Sequence, residues 1–277
     1  MNRKQIAEHT LQLLEQGHYE NASGQLVDLE TLNRDCIAHT VCYNPDELTD
    51  ILERVLAQSP AYDATEYEVV NETTLQGGHR LVTSGEFEKV GVLNFASAKN
   101  PGGGFLNGMQ AQEESLARSS GLYPSLLEGQ DYYDFHRQQK SSLYSDHMIY
   151  SPRCPVFRAD DGKLLEAPYL VDFITSAAPN AGAIYQNERE NIAHIPETLR
   201  RRSAKVLGLA AYHECDALVL GAWGCGVFKN NPQLVAKIFH EHLEGGFQGR
   251  FRKVLFSVLD NSAQRQTVEA FRGYFGE

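Results

Sequence analysis

The sequence predicts an α/β protein, a mixed sheet with helices on its faces. Three observations predict it. From about residue 67 short β-rich runs alternate with helical segments, the order that layered sheets and helices require. Twice a β-rich run leads through a glycine loop into a helix, once within residues 90–118 and once from residue 217 onward. The 277 residues, 42% hydrophobic and 22% charged, suffice for a sizeable core and exclude a disordered or fibrous chain.

Residues 1 to about 58 read as helix-rich. Ile6, Leu11 and Leu14 recur at helical spacing, and Pro45-Asp46-Glu47-Leu48 opens a second helix through Val55, with proline and acids in its first turn. Residues 1–65 are therefore expected to form an N-terminal helical extension packed on a core domain of residues 66–277. Tyr67-Glu68-Val69-Val70 is the first strand of that core. Residues 90–95 form the next strand, followed by the loop Ala98-Lys99-Asn100-Pro101-Gly102-Gly103-Gly104 and a helix from Gln112 to about Arg118. Between about residues 121 and 170 aromatic residues are dense, among them Tyr132, Tyr133, Phe135, Tyr144, Tyr150, Phe157 and Tyr169. They form a packed lid or ligand groove, or they anchor long loops onto the core, which is the commoner use. A helix from Pro196 to about Tyr212, a strand over residues 217–220, the loop Gly221-Ala222-Trp223-Gly224-Cys225-Gly226 and a helix opened by Asn231-Pro232 follow. Phe251 to Leu259 supplies a further strand and Ala263 to Phe275 a closing helix.

The formal net charge of −11 disfavours non-specific attraction to nucleic acid or anionic lipid, so an anionic ligand must be held locally. No continuous apolar stretch has the length of a signal peptide or membrane span, and the chain is expected to be soluble and cytoplasmic, without a membrane partner. Five cysteines, Cys36, Cys42, Cys154, Cys215 and Cys225, lack the paired spacing of a zinc or redox site and read as reduced thiols in or near the core. The histidines are scattered, so no metal and no cofactor is expected.

Three consecutive glycines after Pro101 remove every Cβ from a short stretch. They read either as a flexible turn or as a concavity whose N–H groups face a phosphate or ribose. Gln112-Glu113-Glu114-Ser115 places two carboxylates in the first turn of the following helix, where the dipole favours acids with or without a catalytic role. Neighbours on a helix diverge by about 100°, so in a real site the two acids have unequal roles. The second glycine loop, with Val227-Phe228 behind it, offers backbone donors for a diphosphate beside an aromatic face for a sugar. This second loop has neither the dinucleotide fingerprint nor a Gly-Lys-Ser/Thr ending, since Lys229 comes after Phe228, which weighs against a kinase or NTPase.

The stretch Val92-Leu93-Asn94-Phe95-Ala96-Ser97-Ala98-Lys99-Asn100-Pro101-Gly102-Gly103-Gly104-Phe105-Leu106-Asn107-Gly108, with Gln112-Glu113-Glu114-Ser115, resembles the GGG…QEE segment of the bacterial-type poly(ADP-ribose) glycohydrolases, a branch of the macrodomain superfamily. Tyr144-Ser145-Asp146, Ile149-Tyr150-Ser151-Pro152, Ile174-Thr175-Ser176-Ala177-Ala178-Pro179-Asn180 and residues 221–230 extend the resemblance from about residue 66 to the C-terminus. It implies a three-layer α/β/α macrodomain with a mixed central sheet and ADP-ribose in a cleft at the strand ends. It further implies that Glu114 is the catalytic carboxylate, that Glu113 fixes a hydroxyl of the reacting ribose, and that Gln112 shapes the loop. Asn94 and Asn100 would lie near the distal ribose, and Gly102, Gly103 and Gly104 would approach ribose and phosphate. Gly224, Cys225, Gly226 and Val227 would cradle the diphosphate, and Phe228 would pack against the reacting ribose.

A ribosyl glycosidic bond breaks through an oxocarbenium-like transition state and needs an acid for the leaving oxygen. Glu114 is expected to supply it, protonated through burial and through repulsion from Glu113. The activity implied is hydrolysis of ribose–ribose O-glycosidic bonds of poly(ADP-ribose), with ADP-ribosylated macromolecules as further substrates. An ADP-ribose reader without turnover, or a hydrolase of another ADP-ribosyl linkage to protein, nucleic acid or a small molecule, would use the same cleft. A bulky residue at Gly224 is expected to obstruct the diphosphate.

Overall fold

The structure is a computed structural model describing residues 1–276. In chain order the elements are α1 (Arg3–Gln16), β1 (His18–Glu20), β2 (Leu26–Asp28), α2 (Glu30–Ala38), β3 (Val41–Tyr43), α3 (Pro45–Ala57), β4 (Glu66–Val70), α4 (Thr74–Ser84) and β5 (Val90–Phe95). A 3-10 turn (Phe105–Asn107) precedes α5 (Gln112–Ser119), α6 (Leu122–Glu128), α7 (Gln130–Gln138), β6 (Met148–Arg158) and β7 (Leu164–Ser176). The chain ends with α8 (Ala181–Asn187), α9 (Ile195–Tyr212), β8 (Ala217–Leu220), α10 (Pro232–Leu243), β9 (Lys253–Ser257) and α11 (Gln266–Phe275).

Seven strands form one mixed sheet in the order β3-β6-β7-β5-β8-β9-β4, parallel from β7 to β4 and antiparallel where β6 meets β7 and β3. Strands buried on both faces must be apolar on both. In β8 all four residues are buried, and they alternate: Ala217 and Val219 join one cluster with Leu75, Leu116 and Tyr132, while Leu218 and Leu220 join the other with Ile51, Val206 and Phe239. Helices α2, α4, α5, α6 and α7 thus cover one face and α3, α9, α10 and α11 the other, which makes three layers. No helix among the described residues is long and apolar enough to cross a membrane.

The first 65 residues do more than cover the core with helices. Their three-residue strand β3 pairs with β6 and forms one edge of the sheet, and β1 and β2 make a separate hairpin. Strands this short carry no readable alternation. The aromatic region resolves into α6, α7 and the two longest strands, and Tyr132, Tyr133, Tyr150 and Tyr169 are buried in the core as parts of these elements and not as anchors of long loops. Phe135 stays exposed.

Candidate active site

In an open parallel sheet the connections after the central strands gather at one end and form a crevice there. The loops after β5, β7 and β8 do so here. Phe95 at the end of β5 lies against Gly221 at the start of the loop after β8, and the indole N–H of the buried Trp223 donates to Ser176 O of β7 at 3.0 Å.

Helix α5 is fastened to the sheet by its first side chain. Gln112 Oε1 accepts from Phe95 N at 2.8 Å, and its Nε2 donates to Leu93 O at 2.8 Å and to Thr74 Oγ1 at 3.2 Å. The two acids that follow then face different surroundings, as their angular separation demands. Glu113 is 2% exposed: Oε2 accepts from Ser97 N at 2.7 Å and Oε1 from Asn94 Nδ2 at 3.3 Å. Glu114 is partly exposed, and its Oε1 accepts from Gly104 N at 3.0 Å.

Burial falls on Glu113, which corrects the expectation that it would act on Glu114. Desolvation pushes the Glu113 carboxyl up to about 8, repulsion from Glu114 adds to it, and the hydrogen bonds from Ser97 and Asn94 oppose it. Asn94 is 0% exposed and lies behind the acid: its Nδ2 serves Glu113 and Thr175 Oγ1, and its Oδ1 has no partner among the described residues. Amide orientation is assigned from the surrounding network, and with the amide turned over that orphan oxygen would accept the proton of a neutral Glu113.

A pH test follows. The folded protein holds the Glu113 proton up to about pH 8, against 4.5 for the free group, so the stability contributed by the protonated form is complete below pH 4.5 and is lost as pH rises to 8. Glu113→Gln cannot ionise. Denaturant unfolding should therefore show the variant gaining on wild type between about pH 5 and about pH 9, by on the order of a few kcal/mol. An equal gap at both pH values would remove the buried proton from the account.

The triple glycine serves these acids. Gly103 has φ 59°, and a Cβ there would stand 2.9 Å from Glu114 Cδ and 3.3 Å from Glu113 Oε2. The missing Cβ of Gly102 faces Phe105 at 2.8 Å and that of Gly104 faces Met109 Cγ at 2.5 Å. Their N–H groups also turn inward: Gly102 to Glu113, Gly103 to Asn100 O at 3.0 Å, Gly104 to Glu114. The amides of Gly103 and Gly104 are thus engaged within the protein, and of the two only that of Gly104 holds a carboxylate, which corrects the expectation that the loop offers its N–H groups to a phosphate. Asn100 is exposed on the same loop.

The second loop is built the opposite way. Gly224 has φ 71° and rests against Ala178, while Asn230 Nδ2 clamps the loop by donating to Pro179 O at 2.8 Å and to Gly224 O at 3.1 Å. With its base so fixed, the N–H groups of Gly224, Gly226, Val227 and Phe228 meet no acceptor among the described residues. Successive unpaired amides form an anion-binding nest. Val227 is 73% exposed, and Phe228 is half-buried at 6.0 Å from the Tyr144 ring. Cys225 departs from the expected cradle: its N–H donates to Ala222 O at 3.1 Å, its Sγ turns to Trp223 O, and burial pushes the thiol up to about 12. Gly224 keeps its place in the cradle, but the effect expected of a bulky residue there is corrected: the side chain would meet Ala178 and Asn230 and lift the loop off its base before reaching a ligand.

Sequence reasoning missed Ser97, Thr175 and Asn230, which act on the site through the groups they hold. Ser97 works through its backbone N–H, which leaves no side-chain signal. Among the described residues no three His, Cys, Asp or Glu side chains come together as metal ligands.

The model of the microbial-type PARG (poly(ADP-ribose) glycohydrolase) catalytic domain matches residues 7–159, from within α1 through β6. No curated protein matches. Among solved structures, the poly(ADP-ribose) glycohydrolase of Thermomonospora curvata is similar at 47% identity over 99% of both chains, with a TM-score of 0.94. The same enzyme bound to the inhibitor ADP-HPD is similar at 46% identity over 98% of both chains, with a TM-score of 0.90. The glycohydrolase of Deinococcus radiodurans in complex with ADP-ribose is 47% identical over 90% of this chain and 98% of that one, with a TM-score of 0.84. A carboxylate held by a glycine loop, a second loop of unpaired amides and likeness along nearly the whole chain agree: this protein belongs to the family of microbial-type PARG catalytic domains.

Proposed function

We propose that the protein hydrolyses the ribose–ribose O-glycosidic bond of poly(ADP-ribose) and releases ADP-ribose, with Glu114 as general acid and then general base. One observation carries this reading. The partly exposed Glu114 is held by one oxygen to Gly104 N, which leaves the other for the reacting bond. The amides of Gly224, Gly226, Val227 and Phe228 are the donors for the diphosphate of the ligand. Phe228 supplies the apolar wall beside the ribose.

In the first step Glu114, as general acid, passes a proton to the leaving ribose oxygen as the bond from the anomeric carbon breaks and positive charge spreads into the ring. The Glu114 carboxylate then takes a proton from water, whose oxygen bonds to the anomeric carbon, and the acid is restored. Glu113 Oε1, held only by the long contact to Asn94, keeps acceptor capacity for a ribose hydroxyl. A neutral Glu113 also removes one negative charge from the floor of a cleft that must admit a diphosphate.

Incubation with poly(ADP-ribose) and quantification of released ADP-ribose tests the reading. Binding without release would make the protein a reader, and release only from mono-ADP-ribosylated protein or nucleic acid would move it to another linkage. The nest has its own test in Gly226→Val. Nothing lies within 4 Å of a Cβ at Gly226, so the fold should persist while the branched side chain stands over the amides. Affinity for ADP-ribose should fall by about 10-fold or more, the scale of one or two lost charge-assisted hydrogen bonds. Unchanged affinity in calorimetry would place the diphosphate elsewhere.

A further inference from the structure

We propose that Arg118 is a positioning residue for Glu114, acting through the loop of residues 104–111; its effect on turnover rests on the glycohydrolase reading above. Arg118 is buried on α5, one helical turn after Glu114. Among the described residues its guanidinium forms no ion pair, although the Glu114 charge acts on it across the turn. Nη1 donates to Met109 O at 2.7 Å, and Nη2 donates to Gln110 Oε1 and reaches Ser115 Oγ at 3.4 Å. Gln110 Nε2 closes the ring by donating to Ser115 Oγ at 3.0 Å. A buried cation held by neutral acceptors is costly to desolvate, so its retention asks for a purpose beyond packing.

That purpose lies in what the loop holds. Met109 N donates to Gly104 O at 3.2 Å, Met109 Cγ occupies the space beside the Cα of Gly104, and Gly104 N is the donor to Glu114 Oε1. Arg118, Met109, Gly104 and Glu114 are thus linked by direct contacts in that order. The backbone of Arg118 is fixed separately. Thr10 Oγ1 on α1 donates to Arg118 O at 2.5 Å, and Ala7, Phe105 and Ala117 pack together behind the glycine loop. Helix α1 therefore braces the helix that carries the acid, and the Arg118 side chain braces the loop that aims it.

Arg118→Met keeps the aliphatic bulk and removes every donor. Backbone amide exchange at Gly104 reads the positioning without any substrate, and it should quicken about tenfold, the equivalent of one weakened hydrogen bond. Arg118→Lys can keep one donor on Met109 O and should fall between wild type and the Met variant. Turnover on poly(ADP-ribose) should drop about 100-fold in the Met variant, the scale of a misplacement near an ångström, with affinity for ADP-ribose within about threefold. Unchanged exchange at Gly104 overturns the proposal, and so does a loss of affinity as large as the loss of turnover. If the Met variant does not fold, Gln110→Ala removes one acceptor of the guanidinium and must show the same exchange change on a smaller scale. Quickened exchange at Gly104 in a protein whose wild type releases no ADP-ribose would keep the positioning role and reject the substrate.

Discussion

Glu114→Gln is expected to lower ADP-ribose release from poly(ADP-ribose) by about 10³-fold, the middle of the range for loss of a general acid–base group. The amide is nearly isosteric, and its oxygen can still accept from Gly104 N, so the glycine loop keeps its anchor. What is lost is the transferable proton. Because the acid works in the transition state and not in ground-state binding, kcat and kcat/KM should fall together while affinity for ADP-ribose holds. Turnover within tenfold of wild type would take the acid role from Glu114, and the buried Glu113 would then be the group to vary.

Gly103→Ala should be nearly as damaging. The added methyl would stand 2.9 Å from Glu114 Cδ, against a carboxylate already tied to Gly104, so acid or loop must shift. A shift near an ångström costs about 100-fold in turnover. The backbone also pays for φ 59°, about 1–2 kcal/mol for a residue with a Cβ in the left-handed region. Gly85→Ala separates the two effects. Gly85 has φ 71° and nothing within 4 Å of its absent Cβ, so the same backbone cost arises far from the site without the collision. A melting loss in both variants, larger at Gly103, with turnover lost only there is the expected result; equal turnover in both variants would make the glycines conformational and nothing more.

Of the strands beneath the site, β5 and β8 were legible because they are short apolar runs buried on both faces, whereas β7 was not read as a strand. Helix α4 was not legible either. It carries Gly77 and Gly78 in its middle, and a Cβ on Gly77 would collide with Ser257 and press on Leu255 of β9, while one on Gly78 would meet Tyr169 of β7 at ordinary contact distance. A helix-breaking signal was thus a close-packing signal, and only the neighbouring strand tells the two apart. Strand β6 was hidden by Pro152 and Pro155 and by register shifts beside Arg153, where φ is 47°.

Within the site the positions were readable and their orientations were not. Glu113 stands three residues before Leu116 and four before Ala117, both buried, so its inward placement was present as helical spacing. It was masked because Glu114 stands in the same relation to Ala117 and Arg118, which are buried too. Which backbone amides of a glycine loop remain free depends on the turns that close it. Those turns are set by distant partners such as Asn230 and Pro179.

On the proposed reading chemistry and capture have separate addresses in the chain: the glycine loop whose Gly104 N holds Glu114, and the unpaired amides of Gly224, Gly226, Val227 and Phe228. Descent within this family can therefore lose one without the other. A lineage that drifts at residue 114 keeps a working trap for its ligand and becomes a detector of the mark it once erased. One that closes residues 224–228 keeps two well-held acids with nothing to cut. Only the first loss leaves a useful protein, so binding-only descendants should outnumber catalytic remnants.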